Sequence, residues 1–353
     1  MELDIFSKKC LGIDIGASSI KIVEVSSFGK RKRLENYIEF KLPPNASSLK
    51  TFQGETLLLL SDKVAEILRA IFKTERIRHR EAAFSIPDFS TFFTTFTLPP
   101  MTEAEVPQAV GFEAQHRVPI PLSEVSFDWQ IIEKEKMALG SKLKILLVAV
   151  PNRVLEQYKR MADLSGLEIK GIEAEVFGLM RSSVPENYSG TPVCLVDIGW
   201  QSTTVSIVEK RALKVSHSFD ISGKSLTENL SASLKIGFEE AEEIKKRYGL
   251  NPLREDVLKV LSSSLNFLAL EIDRVCQDFY QKEGRRVESL ILAGGTTSIF
   301  GLKEYLESRI KKKIQIADPF LSISSPLILQ SRLRELGPSL AVAVGVALMG
   351  VES

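Results

Sequence analysis

Length, composition and charge exclude several classes of protein. With 353 residues and 44% hydrophobic side chains, the chain is too long for one simple core and has enough apolar material for two lobes. A net charge of +1 does not indicate a broad nucleic-acid surface. The cysteines are odd in number and form no CxxC pair, so we expect a reducing, cytoplasmic location. No apolar run approaches ~18 residues, so we expect membrane contact only through partners.

A β-hairpin with a carboxylate at its turn is predicted over Cys10–Val25. Alternating and β-branched residues form its two strands, and a Gly-Ala-Ser-Ser turn joins them. Backbone N–H groups at Gly16, the hydroxyls of Ser18 and Ser19, and Lys21 suit a phosphate group. Asp14 suits a hydrated divalent cation, and magnesium is the expected ion. An ordinary hairpin with a polar tip fits this stretch equally well when it is considered alone.

The next elements complete half of a larger unit. We predict a third strand over Arg33–Leu42, a helix over Glu55–Lys73 with one apolar face, and a strand over Glu81–Ile86. A compact β-α-β-β-α insertion is predicted to follow, over about 88–167, because a Phe- and Thr-rich strand leads to a Thr102–Glu105 capping box and further alternating segments. The Phe-rich strand could receive a partner peptide or could simply lie in the core.

The second half begins with a repeat of the first hairpin. Cys194–Glu209 again places an aspartate, Asp197, two residues before a glycine, Gly199, between two predicted strands. Two similar loops are what a duplicated domain shows when both halves face one ligand, and a nucleotide is the natural candidate. We therefore expect a nucleotide to lie between the two hairpins.

Helices dominate the remainder. A helix over Ile172–Ser182 is predicted to connect the halves, and a long helix over Arg254–Glu283 has a heptad-like seam that suits either a coiled coil or its own core. A strand that ends in Gly294, Gly295 and Thr296 could line a purine or ribose. A small-residue helix over Ser339–Met349 closes the chain.

Two DxG hairpins, a later GGTT turn and a small-residue last helix, in this order, resemble the actin, sugar kinase and heat-shock ATPase superfamily. Within it the chain is most similar to the PilM family of type IV pilus assembly, a relative of the division protein FtsA. The similarity includes LPPMTEAEVPQAVGFEAQHRVPIPLSEVSFDW at Leu98–Trp129, GKSLTENL at Gly223–Leu230 and AEEIK at Ala241–Lys245. The middle segment is specific to PilM-like proteins.

The resemblance implies a duplicated α/β fold, actin-like and related to ribonuclease H, with two lobes and an FtsA-type insertion. Its domains would be a first lobe (1–87), the insertion (88–167), a connecting helix (168–190), a second lobe (191–338) and a C-terminal helix that returns to the first lobe (339–353). It also implies a function, namely an ATP-binding scaffold that accepts the cytoplasmic N-terminal peptide of the inner-membrane protein PilN. A small-molecule kinase and a filament-forming protein are the alternatives, and a role in a related secretion system stays open.

The resemblance also assigns residues. Those matching the first phosphate loop are Gly16, Ser18, Ser19 and Lys21, and those matching the second are Gly199, Ser202, Thr203 and Thr204. By the same similarity, Asp14 and Asp197 would hold Mg²⁺ through water. Glu242, Lys245, Gly294, Gly295 and Thr296 match adenosine contacts. Glu173 and Glu175 fall on the connecting helix, and Glu175 is the candidate that orders an attacking water. Trp200 and Gln201 replace small residues in the second loop, so we expect a tighter γ-phosphate pocket and a more secure role in binding than in hydrolysis.

Overall fold

Two five-stranded sheets with the same strand order form the frame of the molecule. The computed structural model describes residues 8–42, 50–53, 56–137, 140–186, 188 and 190–352. Its strands are β1 (Lys8–Ile15), β2 (Ser19–Phe28), β3 (Arg31–Lys41), β4 (Lys50–Gln53), β5 (Thr56–Leu59), β6 (Glu81–Ile86), β7 (Phe92–Met101), β8 (Val125–Met137), β9 (Gly140–Pro151), β10 (Glu168–Ala174), β11 (Val193–Ile198), β12 (Thr203–Glu209), β13 (Ala212–Phe219), β14 (Ser289–Ala293) and β15 (Lys313–Ile316).

Helices flank and connect these sheets. They are α1 (Ser61–Thr74), α2 (Val106–Arg117), α3 (Asn152–Ser165), α4 (Glu175–Ser183), α5 (Gly223–Leu234), α6 (Phe238–Tyr248), α7 (Glu255–Glu283), α8 (Leu302–Ile310) and α9 (Gln330–Glu352). The apolar seam of α7 packs into the core beneath the second sheet. Among the described residues it therefore contributes to this core and does not form a coiled coil.

The two sheets confirm the predicted duplication. The first has the order β3-β2-β1-β6-β10, and the second has the order β13-β12-β11-β14-β15. In each, an antiparallel three-strand meander is extended by two parallel strands. β1 therefore corresponds to β11, and β6 corresponds to β14. This register places the ends of β1 and β11, and hence the two predicted loops, at equivalent edges of the two sheets.

Helices α4 and α9 lie between the sheets and cross at small residues. A Cβ added to Gly345 would stand 1.8 Å from the backbone oxygen of Gly178, and one added to Gly12 would stand 2.0 Å from that of Ala343. The backbones are thus in direct contact, and larger residues at these points would separate the elements. α9 meets the length and hydropathy criteria for a membrane span, but 67% of its apolar window is buried against the rest of the fold.

The insertion contains the three-stranded sheet β7-β9-β8, which is covered by α2. Phe96 is buried in its core, and Phe93 packs edge to face with Phe177 of α4 at 6.1 Å between ring centroids. The Phe-rich strand therefore contributes largely to cores. Helix α3, which the predicted boundary at 167 assigned to the insertion, packs in the core of the first sheet with α1. The limits of the domains stay a prediction.

Several predicted helices begin at other residues. The helix predicted from Glu55 begins at Ser61 and is preceded by β5, and Glu55 itself lies outside the described residues. The helix predicted over Ile172–Ser182 is wrong in its first part, because residues up to Ala174 extend β10 beside β6. The last helix begins nine residues before Ser339 and contains Pro338. Short apolar segments fit either period, and tertiary pairing decides between them.

Candidate nucleotide site between the two lobes

The first loop contains a buried ion pair at the end of β1. Lys21 Nζ lies 3.1 Å from Asp14 Oδ2, and the Ser85 hydroxyl donates to Asp14 Oδ1 at 2.8 Å. Lys21 is directly opposite Asp14 in the β1–β2 register, and Ser85 comes from β6 next to β1. Burial lowers the pKa of Lys21, but Asp14, Asp197 and Glu39 together hold that pKa above its ordinary value. The ammonium group is therefore charged at neutral pH.

The second loop contains Asp197, for which the described part of the chain provides no such close partners. Burial raises the pKa of Asp197, Lys21 lowers it and Asp14 raises it again, and the net result is a pKa of about 6. Asp197 is thus affected by both charged groups of the first loop, although it belongs to the other lobe. In the register of β11, its neighbours are Thr204 and Ala293, and neither is a cation. The predicted pair of carboxylates therefore shares one lysine across the cleft.

Both loops close through the same backbone hydrogen bond. Gly16 N–H donates to the Ser19 carbonyl at 2.8 Å, and Gly199 N–H donates to the Ser202 carbonyl at 3.0 Å. A Cβ on Gly199 would lie 2.9 Å from that carbonyl, which explains the need for a small residue there. Within the second loop, the Thr203 hydroxyl donates to the Ile221 carbonyl at 2.5 Å. Thr204 shares a hydrogen bond with Ser218.

The third predicted turn lies directly against the second loop. Gly294 has φ +89°, and a Cβ there would stand 2.4 Å from Asp197 Oδ1. Only glycine permits this backbone conformation together with this approach. The Thr296 hydroxyl donates to the Gly199 carbonyl at 3.2 Å, so the turn and the loop form one wall of the site.

Helices α5 and α6 supply a buried charged pair beside this wall. Lys245 Nζ lies 2.6 Å from Glu242 Oε2 and donates to the Gly223 carbonyl at 2.7 Å. Burial raises the pKa of Glu242, but Lys245 outweighs it and the pKa falls below the ordinary value. Burial lowers the pKa of Lys245 itself. Gly223 N–H also donates to the Gly199 carbonyl at 2.9 Å, which joins the pair to the second loop.

The two glutamates expected on the connecting helix have different positions. Glu173 lies on β10, not on the helix, and forms a two-pronged ion pair with Arg181. Glu175 is the first residue of α4, and the next residue, Val176, donates its N–H to Asp88 Oδ1 at 3.1 Å. Burial is the main cause that raises the pKa of Tyr158. The charges of Glu175 and Asp14 raise that pKa further. Glu175 and Asp14 therefore both act on the buried Tyr158 of the first lobe.

Two groups in this region were missed in the sequence. Ser85 lies inside the apolar segment EAAFSI. A hydroxyl-bearing residue at the end of a buried strand was the feature that could have indicated its contact with Asp14. Tyr158 is fully buried on α3, where its ring resembles any core aromatic. Among the described residues, its hydroxyl and Gln201 Oε1 are the buried side-chain polar atoms without a hydrogen-bond partner.

The donor set fits a magnesium–nucleotide ligand. Two carboxylates share one lysine, so the cluster carries an excess negative charge that a hydrated divalent cation would neutralise. The unpartnered Gln201 oxygen lies in the second loop, and a water molecule or ligand donor would satisfy it. No group of three or more His, Cys, Asp or Glu side chains that could hold a metal ion occurs in the described part of the chain.

A separate ionic cluster joins the insertion to the second lobe. Glu133 on β8 accepts from Lys214 Nζ of β13 at 2.7 Å and from Arg285 at 3.1 Å. Lys144 on β9 pairs with Glu283 at the end of α7. Burial raises the pKa of Glu133, but Lys214 and Arg285 bring it down to about 2. The insertion is therefore attached by charged groups to the lobe that carries the second loop.

The duplicated sheets, the paired loops and the crossing helices define an actin-like fold of the kind found in two-lobe ATPases. One structure with this fold is that of MreB 5 of Spiroplasma citri bound to AMPPNP. It covers 97% of this chain and 96% of its own, with 12% identity and a TM-score of 0.52. Another is a PilM–PilN type IV pilus biogenesis complex, with 23% identity, a TM-score of 0.85 and coverage of 98% of this chain and 99% of that one.

The family is shown by sequence. Residues 12–351 match the family of type IV pilus assembly protein PilM, and the chain belongs to that family. Among curated relatives, the cell division protein FtsA of Bacillus subtilis is 27% identical over 122 residues, which are 34% of this chain and 28% of FtsA. FtsA of Pseudomonas aeruginosa is 24% identical over 60% of this chain and 57% of its own length. The chain thus spans from about a quarter to about three fifths of these relatives.

Proposed function

We propose that this protein is a cytoplasmic, ATP-binding scaffold of type IV pilus assembly that binds the N-terminal cytoplasmic peptide of a PilN-like inner-membrane protein. Membership of the PilM family supports the pilus role. The observation that carries nucleotide binding is the pair of equivalent loops whose charged groups act on one another across the cleft. The protein would reach the membrane only through its partners.

Each loop has a role in this proposal. Gly16, Ser18, Ser19 and Lys21 would bind phosphate oxygens from the first lobe. The second lobe would contribute Gly199, Ser202, Thr203 and Thr204. Asp14 and Asp197 would hold Mg²⁺ through its water ligands. The charge of the cation would offset the repulsion between the carboxylates and the phosphates. The nucleoside would lie near Glu242 and Lys245, and near the Gly294–Thr296 turn. Glu175 is the candidate that orders a water molecule next to the terminal phosphate.

The partner site is assigned to the insertion. Its ionic cluster with Lys214 and Arg285 attaches it to the second lobe, and its edge strand β7 lies beside α4 of the lobe interface. A change in the angle between the lobes would therefore be transmitted to the insertion. This connection gives a physical route by which ATP could alter the affinity for a peptide.

Calorimetric titration tests both parts. The protein is titrated with ATP and Mg²⁺, then with a peptide that copies the cytoplasmic N-terminus of its PilN partner, and finally with each ligand in the presence of the other. We expect both ligands to bind and each to shift the affinity of the other by the same factor, because linkage is reciprocal. Asp14→Ala is expected to abolish Mg²⁺-dependent ATP binding.

Asp62→Ala is the matched control for that variant. Asp62 lies on α1, is largely exposed and pairs with Arg160 on the surface, so its removal should leave both affinities unchanged. Unchanged ATP affinity in Asp14→Ala would contradict the assigned metal site. Binding of ATP without binding of the peptide would contradict the pilus role and would favour a screen for phosphorylated small molecules.

A further inference from the structure

The indole ring of Trp200 covers the buried charged pair of α6. Lys245 Nζ lies 5.2 Å from the centroid of this ring, within the range of a cation–π contact. Phe238 meets the same ring edge to face, at 6.0 Å and 88°. Trp200 was expected to narrow the γ-phosphate pocket. Its ring is turned toward the residues that match adenosine contacts, and its effect on the γ-phosphate pocket stays a prediction.

This cluster already satisfies its own hydrogen-bonding groups. The three protons of the Lys245 ammonium have three acceptors, namely Glu242, Thr227 and the Gly223 carbonyl, at 2.6 to 2.7 Å. Glu242 also accepts from the Thr227 hydroxyl at 2.5 Å and pairs with Lys246 at 3.0 Å. A ribose could reach Lys245 or Glu242 only by replacing one of these contacts, and the ring lies over the ammonium group.

The backbone around Trp200 is fixed by hydrogen bonds. Its carbonyl accepts from Lys224 N–H at 2.9 Å, and the carbonyl of the preceding residue, Gly199, accepts from Gly223 N–H and from the Thr296 hydroxyl. These contacts tie the loop to the start of α5 and to the third turn. Any movement that uncovers Lys245 is therefore expected in the side-chain torsions of Trp200.

We propose that Trp200 is a gate on the nucleoside side of the cleft, and that its side chain must rotate away from Lys245 before the ribose and base of a nucleotide can enter. The inference rests on the proposed nucleotide site. The gate would also make the site distinguish nucleotides from inorganic phosphates, because a ligand that consists of phosphates alone uses only the loops and does not require the gate to open. Opening breaks the contact between Trp200 and Lys245, and the free energy that this costs reduces the affinity for nucleotides.

Two ligands distinguish a gate from a general effect on the site. ATP and inorganic tripolyphosphate are titrated with Mg²⁺ into the wild type, Trp200→Ala and Trp200→Phe. We expect Trp200→Ala to bind ATP roughly three to ten times more tightly, with an intermediate gain in Trp200→Phe, because a desolvated cation–π contact no longer competes. The affinity for tripolyphosphate should be the same in all three proteins.

The fluorescence of Trp200 provides a test that leaves the gate intact. The chain has two tryptophans, so Trp129→Phe makes Trp200 the single emitter. Its emission should shift to the red when ATP binds, as the ring leaves the cluster, and should not shift with tripolyphosphate. Weaker ATP binding in Trp200→Ala, or emission unchanged by bound ATP, would overturn the gate and leave the nucleotide site standing. Failure of the wild type to bind either ligand would overturn both proposals.

Discussion

The two loops have equivalent backbones and different charges. In the first, Asp14 has Lys21 opposite it on the second strand and Ser85 beside it on the neighbouring parallel strand. In the second, Asp197 occupies the same register position, but its two neighbours are Thr204 and Ala293. Duplication has therefore produced two carboxylates that both interact electrostatically with Lys21, which belongs to the first loop. The fold is symmetrical, whereas the electrostatics of the site are not.

This difference separates the energetic roles of the lobes. In the first lobe the carboxylate is stabilised by its partners, so the pair contributes to folding. In the second, burial and the charge of Asp14 raise the pKa of Asp197 to about 6, so its ionised form destabilises the fold. A bound divalent cation would remove that penalty. We therefore expect substitutions at equivalent positions of the two loops to change stability in opposite directions.

The largest effect is expected for Lys21→Met. The change removes the cation that both carboxylates share and leaves Asp14 buried without its ion pair, which should destabilise the protein by about 3 kcal/mol at pH 7. Urea denaturation measures this difference. The matched control is Lys41→Met on the neighbouring strand, because Lys41 is 67% exposed and pairs with Glu39 at the surface. A loss of stability equal to that of the control would show that Lys21 does not stabilise the first loop.

Asp197→Asn should have the opposite sign. Because the pKa of Asp197 is raised from 3.8 to about 6 by folding, the penalty for its ionisation develops as the pH rises through this interval and is complete above it. The amide has no charge to ionise, so the variant should be more stable than wild type by about 2 kcal/mol at pH 8, with little difference near pH 4. Urea denaturation at several pH values measures the profile.

Asp14→Asn is the control at the equivalent position. There the carboxylate is paired, and its removal leaves Lys21 without its nearest partner, so this variant should lose stability at pH 8. Both variants should also lose Mg²⁺-dependent ATP binding. Equal and destabilising effects of the two substitutions would contradict the asymmetry between the loops.

The sequence predicted the part of this arrangement that local pattern determines. Alternation and the DxG spacing indicated both hairpins, because strand and turn preferences act over a few residues. The start of α4 was misplaced, since Ile172–Ala174 becomes a strand only through pairing with β6. Three interactions depend on side chains that are far apart in sequence. They are the electrostatic interaction of Lys21 with Asp197, the hydrogen bond from Ser85 to Asp14 and the contact of Trp200 with Lys245. No local periodicity reports such contacts.

The smallest expected effects come from exchanging the neighbours of the two aspartates. Ser85 and Ala293 occupy equivalent places on β6 and β14, next to Asp14 and Asp197. Ser85→Ala removes a 2.8 Å hydrogen bond to a buried carboxylate and should destabilise the protein by about 1 kcal/mol. Ala293→Ser should provide the missing donor and lower the pKa of Asp197 by about one unit, because a hydrogen bond to the charged form favours it.

The pH dependence of stability distinguishes the two substitutions. For Ala293→Ser, stability should fall less than in the wild type as the pH rises from 3.8 to about 6. The gain over wild type should therefore develop within this interval and be complete above it. For Ser85→Ala, the loss should be present at pH 8, because the buried carboxylate of Asp14 then lacks this hydrogen bond. A gain from Ala293→Ser that persists unchanged at pH 4 would mean that the added hydroxyl improves packing and does not act on Asp197. The absence of a close hydrogen-bond donor would then not explain the raised pKa of Asp197.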